Sequence, residues 1–211
     1  MVMVMGNKRM GLRRHISRLL WMAIGLCLWP AMLQAQARAI DTGHSTLTVR
    51  VSKTGIFSGF AHDHEIEAPI VEGTVALDGN LGVSLRVDAR KMRVLDPDAS
   101  EQTRAQVQNT MQGSSVLDST RFPEISFLSS SVEAADNDRW NVRGNLTLHG
   151  QTMPVGFEAT LTAGHYRGTA TVRQTDFGIV PIRIAGGTVK VKDQVKIEFD
   201  IVLAGAMAQY P

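Results

Sequence analysis

The sequence predicts an all-β fold of about eight antiparallel strands, closed as a barrel or stacked as a sandwich, with one helix laid across an end. Three observations carry that prediction. From Ser45 onward apolar and polar residues alternate with period two over most of the chain, the pattern of strands with one dry face. Turn signals such as Asp78-Gly79-Asn80 and His149-Gly150-Gln151 punctuate the runs. The strand–helix–strand rhythm of a parallel sheet is missing, since only one stretch outside the N-terminus reads as a helix.

The N-terminal stretch stands apart. Lys8, Arg9, Arg13, Arg14 and Arg18 precede the apolar run 19–29, Pro30 ends it, and Ala35-Gln36-Ala37 offers small residues at the spacing a signal peptidase reads. We expect residues 1–37 to be a cleaved secretory signal, which places the mature domain, residues 38–211, in the periplasm or outside the cell. The run is shorter than the roughly 20 residues a spanning helix needs, so no integral membrane span is expected after cleavage. Cys27 does not mark a lipoprotein, because Leu26 stands where that signal requires a small residue. The leader removes five basic and no acidic residues, turning a formal net charge of +2 into −3. The basic balance of the whole chain therefore belongs to the leader, and nothing in the remainder favours nucleic acid. Cys27 is the chain's one cysteine, so the mature domain is expected to be held by its core and not by disulfides.

Taken in order, the strands announce themselves by parity. Leu47, Val49 and Val51 oppose Thr48, Arg50 and Ser52; Ile66, Ala68 and Ile70 oppose Glu65 and Glu67. Parity slips between Ile70 and Val75 around Gly73, as a bulge or sharp bend would make it. Leu81, Val83, Leu85 and Val87 follow. Pro97 and Asp98 then open a polar helix over residues 99–112, with Asp98 as the expected cap, Glu101 completing a capping box, and Gly113 as the stop. So polar a helix cannot be central, and Val107, Met111, Val116 and Leu117 are expected to face the sheet. Pro123 then fixes the chain into extended geometry, and Ile125 and Phe127 alternate with Ser126. Four inward rows complete the pattern, two joined at His149-Gly150: Trp140 to Leu148, Met153 to Leu161, Tyr166 to Val172, and Val195 to Leu203.

The opposite faces carry Arg50, Arg86, Asp88, Arg143, Glu158, Arg167, Arg173, Lys196, Glu198 and Asp200. A barrel of this sequence is dry inside and wet outside, the reverse of an outer-membrane barrel. Its inward rows include Ala68, Gly144, Ala159, Gly168 and Ala170. Small inward residues leave room for a ligand in an eight-stranded barrel, or they fit a tapering barrel and close strand approach; both readings stand.

Catalytic signatures are wanting. There is no nucleophile elbow, phosphate-binding loop, dinucleotide fingerprint or His-Glu-x-x-His, and Asp176-Phe177-Gly178 lacks its kinase companions. His62 and His64, two apart on a strand, share a face and could bind a metal together with His149 or His44. The plainer expectation is a polar rim of histidines capped by Asp63 or Glu65. Arg104 could meet Asp96 or a ligand head group, against the plainer expectation of a solvated arginine.

Several blocks together resemble the YceI family of lipocalin-like, polyisoprenoid-binding barrels. They are Ile40-Asp41, His44-Ser45, Phe57-Ser58-Gly59-Phe60 with Gly73 in the strand beyond, the run 117–127 centred on Phe122-Pro123, and the run 144–150 followed by Pro154-Val155. His62-Asp63-His64 departs from the family pattern in its histidine content. The resemblance implies an extended eight-stranded antiparallel barrel and a periplasmic or secreted carrier, not an enzyme, that holds a long apolar lipid chain of isoprenoid type. On that reading Phe57, Phe60, Leu85, Phe127, Phe157, Gly168, Ala170 and Phe199 line the lumen, and no cofactor, metal or catalytic residue is called for. A homodimer is compatible with it. The alternative is a metal- or haem-dependent redox protein using His62 and His64.

Overall fold

A computed structural model describes residues 37–55, 63–184 and 189–205. Phe57, Phe60 and His62 lie outside the described residues, as does the expected leader apart from Ala37. The strands are β1 (Ala37–Ala39), β2 (Thr46–Gly55), β3 (His64–Glu67), β4 (Ile70–Ala76), β5 (Gly82–Asp88), β6 (Arg93–Val94), β7 (Glu124–Ala135), β8 (Arg139–Leu148), β9 (Gln151–Thr162), β10 (His165–Arg173), β11 (Arg183–Ile184) and β12 (Val189–Val202), with helix α1 (Glu101–Gln112) between β6 and β7. They form one sheet in the order β1-β4-β5-β7-β8-β9-β10-β12-β2-β3-β6, with β11 beside β12. The fold is the expected curled antiparallel barrel with one helix.

Twelve strands stand where about eight were expected, and the excess has local causes. Pro69 has no N–H to give a ladder, so β3 and β4 are two halves of one stave bent at Ala68-Pro69. The facing stave is divided likewise into β5 and β6 by a 3-10 turn at Ala89–Lys91, capped by the Asp88 side chain on the Arg90 amide. These halves run side by side, with Ile70 opposite Val87 and Ile66 opposite Val94. The two ends of the sheet, β1 beside β4 and β6 beside β3, thus meet at the bent stave, and the sheet returns on itself. Ile40 bridges Leu203, Ala204 donates its amide to the Ala39 carbonyl at 2.8 Å, and Asp41 does so to Val202, which seals the seam. The parity slip between Ile70 and Val75 is a register shift between Ile70 and Glu72.

Hairpin turns follow the residues that tolerate positive φ. His149 and Gly150 (φ 50° and 72°) join β8 to β9, and Ala163 and Gly164 (φ 50° and 81°) join β9 to β10. Gly150 has a second reason to lack a side chain: a Cβ there would stand 2.6 Å from the Phe122 ring, which packs edge-on against His149 at 4.7 Å. Phe122 thereby ties the helix-to-sheet stretch onto the β8–β9 turn.

The helix starts two residues later than expected, and its cap is Ser100, not Asp98. Ser100 Oγ accepts from the Thr103 amide at 3.1 Å, while residues 96–99 make a preceding turn closed by the Ala99 amide on the Asp96 carbonyl. Glu101 is therefore the first helical residue and takes no part in a capping box. Met111 and Leu117 are buried, and Val107 and Val116 pack beside them, as the amphipathic reading required. Gln108 fastens the helix to the exposed edge of β6, accepting from the Val94 amide at 2.8 Å and donating to the Met92 carbonyl at 2.9 Å.

Candidate ligand-binding lumen

The inward rows enclose a cavity of about 240 Å³ that runs from α1 to the far end of the barrel. Met92, Met111, Val116, Leu117 and Ile179 line it at the helix end, and Ile40, Ile201 and Tyr166 at the other. Among the described residues the lining contains no charged side chain; its polar members are Ser126, Tyr166 and Gln174. A cavity so lined stays dry and gains by admitting apolar matter.

Leu85, Phe127, Phe157, Ala170 and Phe199 face this cavity, and Phe57 and Phe60 lie outside the described residues. Gly168 is placed differently from the expectation. It faces inward, but the ring of Phe199 covers it, and a Cβ there would sit 2.5 Å from Phe199 Cζ. Gly144 is covered by Phe127 in the same way, at 2.5 Å, and Gly73 by the Ile40 side chain. The inward glycines thus give their space to neighbouring side chains, while Ala68, Ala159 and Ala170 border the cavity. The glycines fit the reading of close side-chain approach, and the alanines border open space. The rings form a chain across the interior: Phe127 to Phe157 at 5.5 Å between centroids, and Phe157 to Phe199 at 5.1 Å.

Among the described residues the histidines do not converge, and His62 lies outside them. His64 Nδ1 lies 2.6 Å from Asp96 Oδ2, and Asp96 is buried and also accepts from the Glu65 amide, so the partner is Asp96 and not Asp63 or Glu65. Asp63 instead accepts from Ser52 and from the Lys53 amide. His149 Nδ1 faces the Phe177 carbonyl, and His44 pairs with Asp41. Arg104 donates to the Ala99 carbonyl rather than meeting Asp96. Among the described residues no three His, Cys, Asp or Glu side chains come together as a metal site would need. The outer face is laced by charge pairs instead. Arg50 joins Glu65 and Glu198, and Arg167 and His165 share Asp200. Burial pushes the Asp200 carboxyl up, but the hydrogen bonds from Arg167 and His165 outweigh it and hold it below its usual range.

At the cavity's ends sequence reasoning read Met111, Val116, Leu117, Tyr166 and Ile201 as inward and missed Met92, Ile179 and Ile40. Met92 and Ile179 follow 3-10 turns, where no periodicity marks an inward residue. Ile40 precedes the stretch in which alternation begins, so no period marked it.

An antiparallel barrel with one helix and, among the described residues, no charged side chain in its lumen has a lipocalin-like fold. Comparison with known proteins makes this specific. The YceI-like domain model matches residues 39–203, and the chain belongs to that family. A UPF0312 protein of Shewanella sp. (strain W3-18-1) is 29% identical over 182 residues, covering 77% of this chain and 87% of its own. A UPF0312 protein of Pseudomonas savastanoi pv. phaseolicola is 38% identical over 73 residues, but the match spans only 38% of that relative's length and 30% of this chain. The crystal structure of Burkholderia cenocepacia BcnA shares the fold, with a TM-score of 0.59 at 17% identity over 77% of this chain and 98% of that one.

Proposed function

We propose that the protein is an exported carrier that holds the apolar chain of an isoprenoid-type lipid in its lumen, and that it is a binding protein and not an enzyme. The observation that supports this best is the uncharged cavity of about 240 Å³. By proportion to the 150 Å³ cavity that takes benzene, it accommodates about ten carbon atoms with the rings where they stand. A longer chain requires the Phe127–Phe157–Phe199 ring chain to rearrange. Burying each methylene of the chain contributes about 0.8 kcal/mol, so ten carbons give a gross gain of about 8 kcal/mol against the cost of association. Export rests on the basic, then apolar, then small-residue order of the first 37 residues.

The test is native mass spectrometry of protein recovered from the exported fraction. A mature N-terminus near Gln36, Arg38 or Ile40 and a bound mass that organic extraction assigns to an apolar lipid are expected. A chain beginning at Met1, or one that carries a stoichiometric metal and no extractable lipid, overturns the proposal.

A further inference from the structure

The far mouth of the lumen carries an arginine where every neighbouring inward position is apolar. Side chains two apart on a strand share a face, and residues opposite one another in register point to the same side. Arg38 stands two residues before Ile40 and opposite Val75, and both of these line the cavity. Arg38 therefore belongs to the inward row of β1, at the rim. One of its nitrogens donates to the Ala204 carbonyl at 2.9 Å, which leaves further donors of the guanidinium available. Among the described residues it forms no ion pair.

Tyr166 faces the same mouth from β10. Its ring lines the cavity and packs against Trp140 at 5.6 Å, and its hydroxyl has no hydrogen-bond partner among the described residues. Tyr166 packs against the cluster of Ile40, Ile201 and Leu203 at the end where Arg38 stands, and burial raises its phenol, with a smaller lowering by the Arg38 charge. Asp138 lies in the turn between β7 and β8, together with Asp136.

We infer that Arg38 and Tyr166 form a head-group site at the end of the lumen remote from α1, for the anionic end, carboxylate or phosphate, of a single-chain amphiphile whose tail fills the lumen. The guanidinium supplies a charge-assisted hydrogen bond and the phenol hydroxyl a second one. This inference deepens the proposed carrier function and rests on it.

The experiment titrates lipid-stripped protein, produced from the full chain and with its N-terminus mapped, with decanoate, decyl phosphate and decanol, whose tails match the cavity. Decanoate or decyl phosphate should bind at least about tenfold tighter than decanol, as one charge-assisted hydrogen bond allows. Arg38→Gln, which keeps a donor for the Ala204 carbonyl, should abolish that preference while leaving decanol affinity unchanged. Tyr166→Phe should reduce it severalfold. Equal binding of all three by the parent, undiminished preference in Arg38→Gln, or a mature chain that begins at Ile40 and lacks Arg38 overturns the head-group site alone. Failure of the parent to bind any of the three overturns the lumen reading beneath it.

Discussion

Single residues decide where the interior is full and where it is open. At Gly168 an added methyl would meet the Glu158 carbonyl oxygen and the Phe199 ring, and neither backbone nor a packed ring can step aside cheaply. Gly168→Ala should cost about 1–3 kcal/mol in urea unfolding, as overpacking does. Gly156→Ala, whose Cβ would find its nearest neighbour at 3.6 Å on the outer face, should stay within about 0.5 kcal/mol of the parent. Asp88 carries a pH dependence of defined sign. Its hydrogen bonds with Arg90, first among them the guanidinium contacts, lower its carboxyl from 3.8 to about 2 in the folded protein. A carboxyl depressed on folding stabilises above its unfolded pKa and loses that contribution as pH falls through its folded one. Asp88→Asn should therefore be less stable than the parent at neutral pH. The gap should close between pH 4 and 2, as urea midpoints across that range would report.

At the level of elements, alternation located every long strand, because a half-buried strand has to present one dry face. It could not reveal the breaks. Ala68-Pro69 interrupts a stave whose apolar parity continues across it, the 3-10 turn after Asp88 shifts the inward parity from Val87 to Met92 and Val94, and β6 and β11, of two residues each, are too short to display a period. The lumen was legible where strands are regular and illegible at Met92 and Ile179, which irregular backbone brings inward. Gly168 was read as vacant because sequence records a missing side chain and not the neighbour that occupies its place. The helix start was misplaced since Asp98 and Ser100 are both good caps, and only the turn on the Asp96 carbonyl decides between them. Ser100→Ala should cost about 1 kcal/mol, and Asp98→Ala close to nothing, in thermal unfolding of the two variants. A larger loss at Asp98 would return the cap to that residue.

For the whole molecule the question is whether the barrel is filled or hollow. Ala170 is buried at 6% exposure and borders the cavity. In a filled interior Ala170→Trp would be overpacked and costly; in a hollow one the indole takes the space a lipid chain would use. The expected result is a variant that melts within a few degrees of lipid-stripped parent yet yields no lipid on extraction. Stripping is needed because a bound ligand raises the parent's apparent stability by itself. An unfolded variant beside a parent without lipid would mean a solid core.

The seam between Ile40 and Leu203 also governs how the protein comes to be folded. Residues at opposite ends of the described chain must find each other before the barrel closes, and the entropy of closing a loop rises with its length. Contacts of such sequence separation form late and slowly. The strand that seals the molecule is also the last of the described strands to be synthesised, so a growing chain carries an open apolar trough until β12 is complete. Slow, late closure keeps the chain unfolded longer than a hairpin-only protein would be. During that interval the exposed trough is open to aggregation.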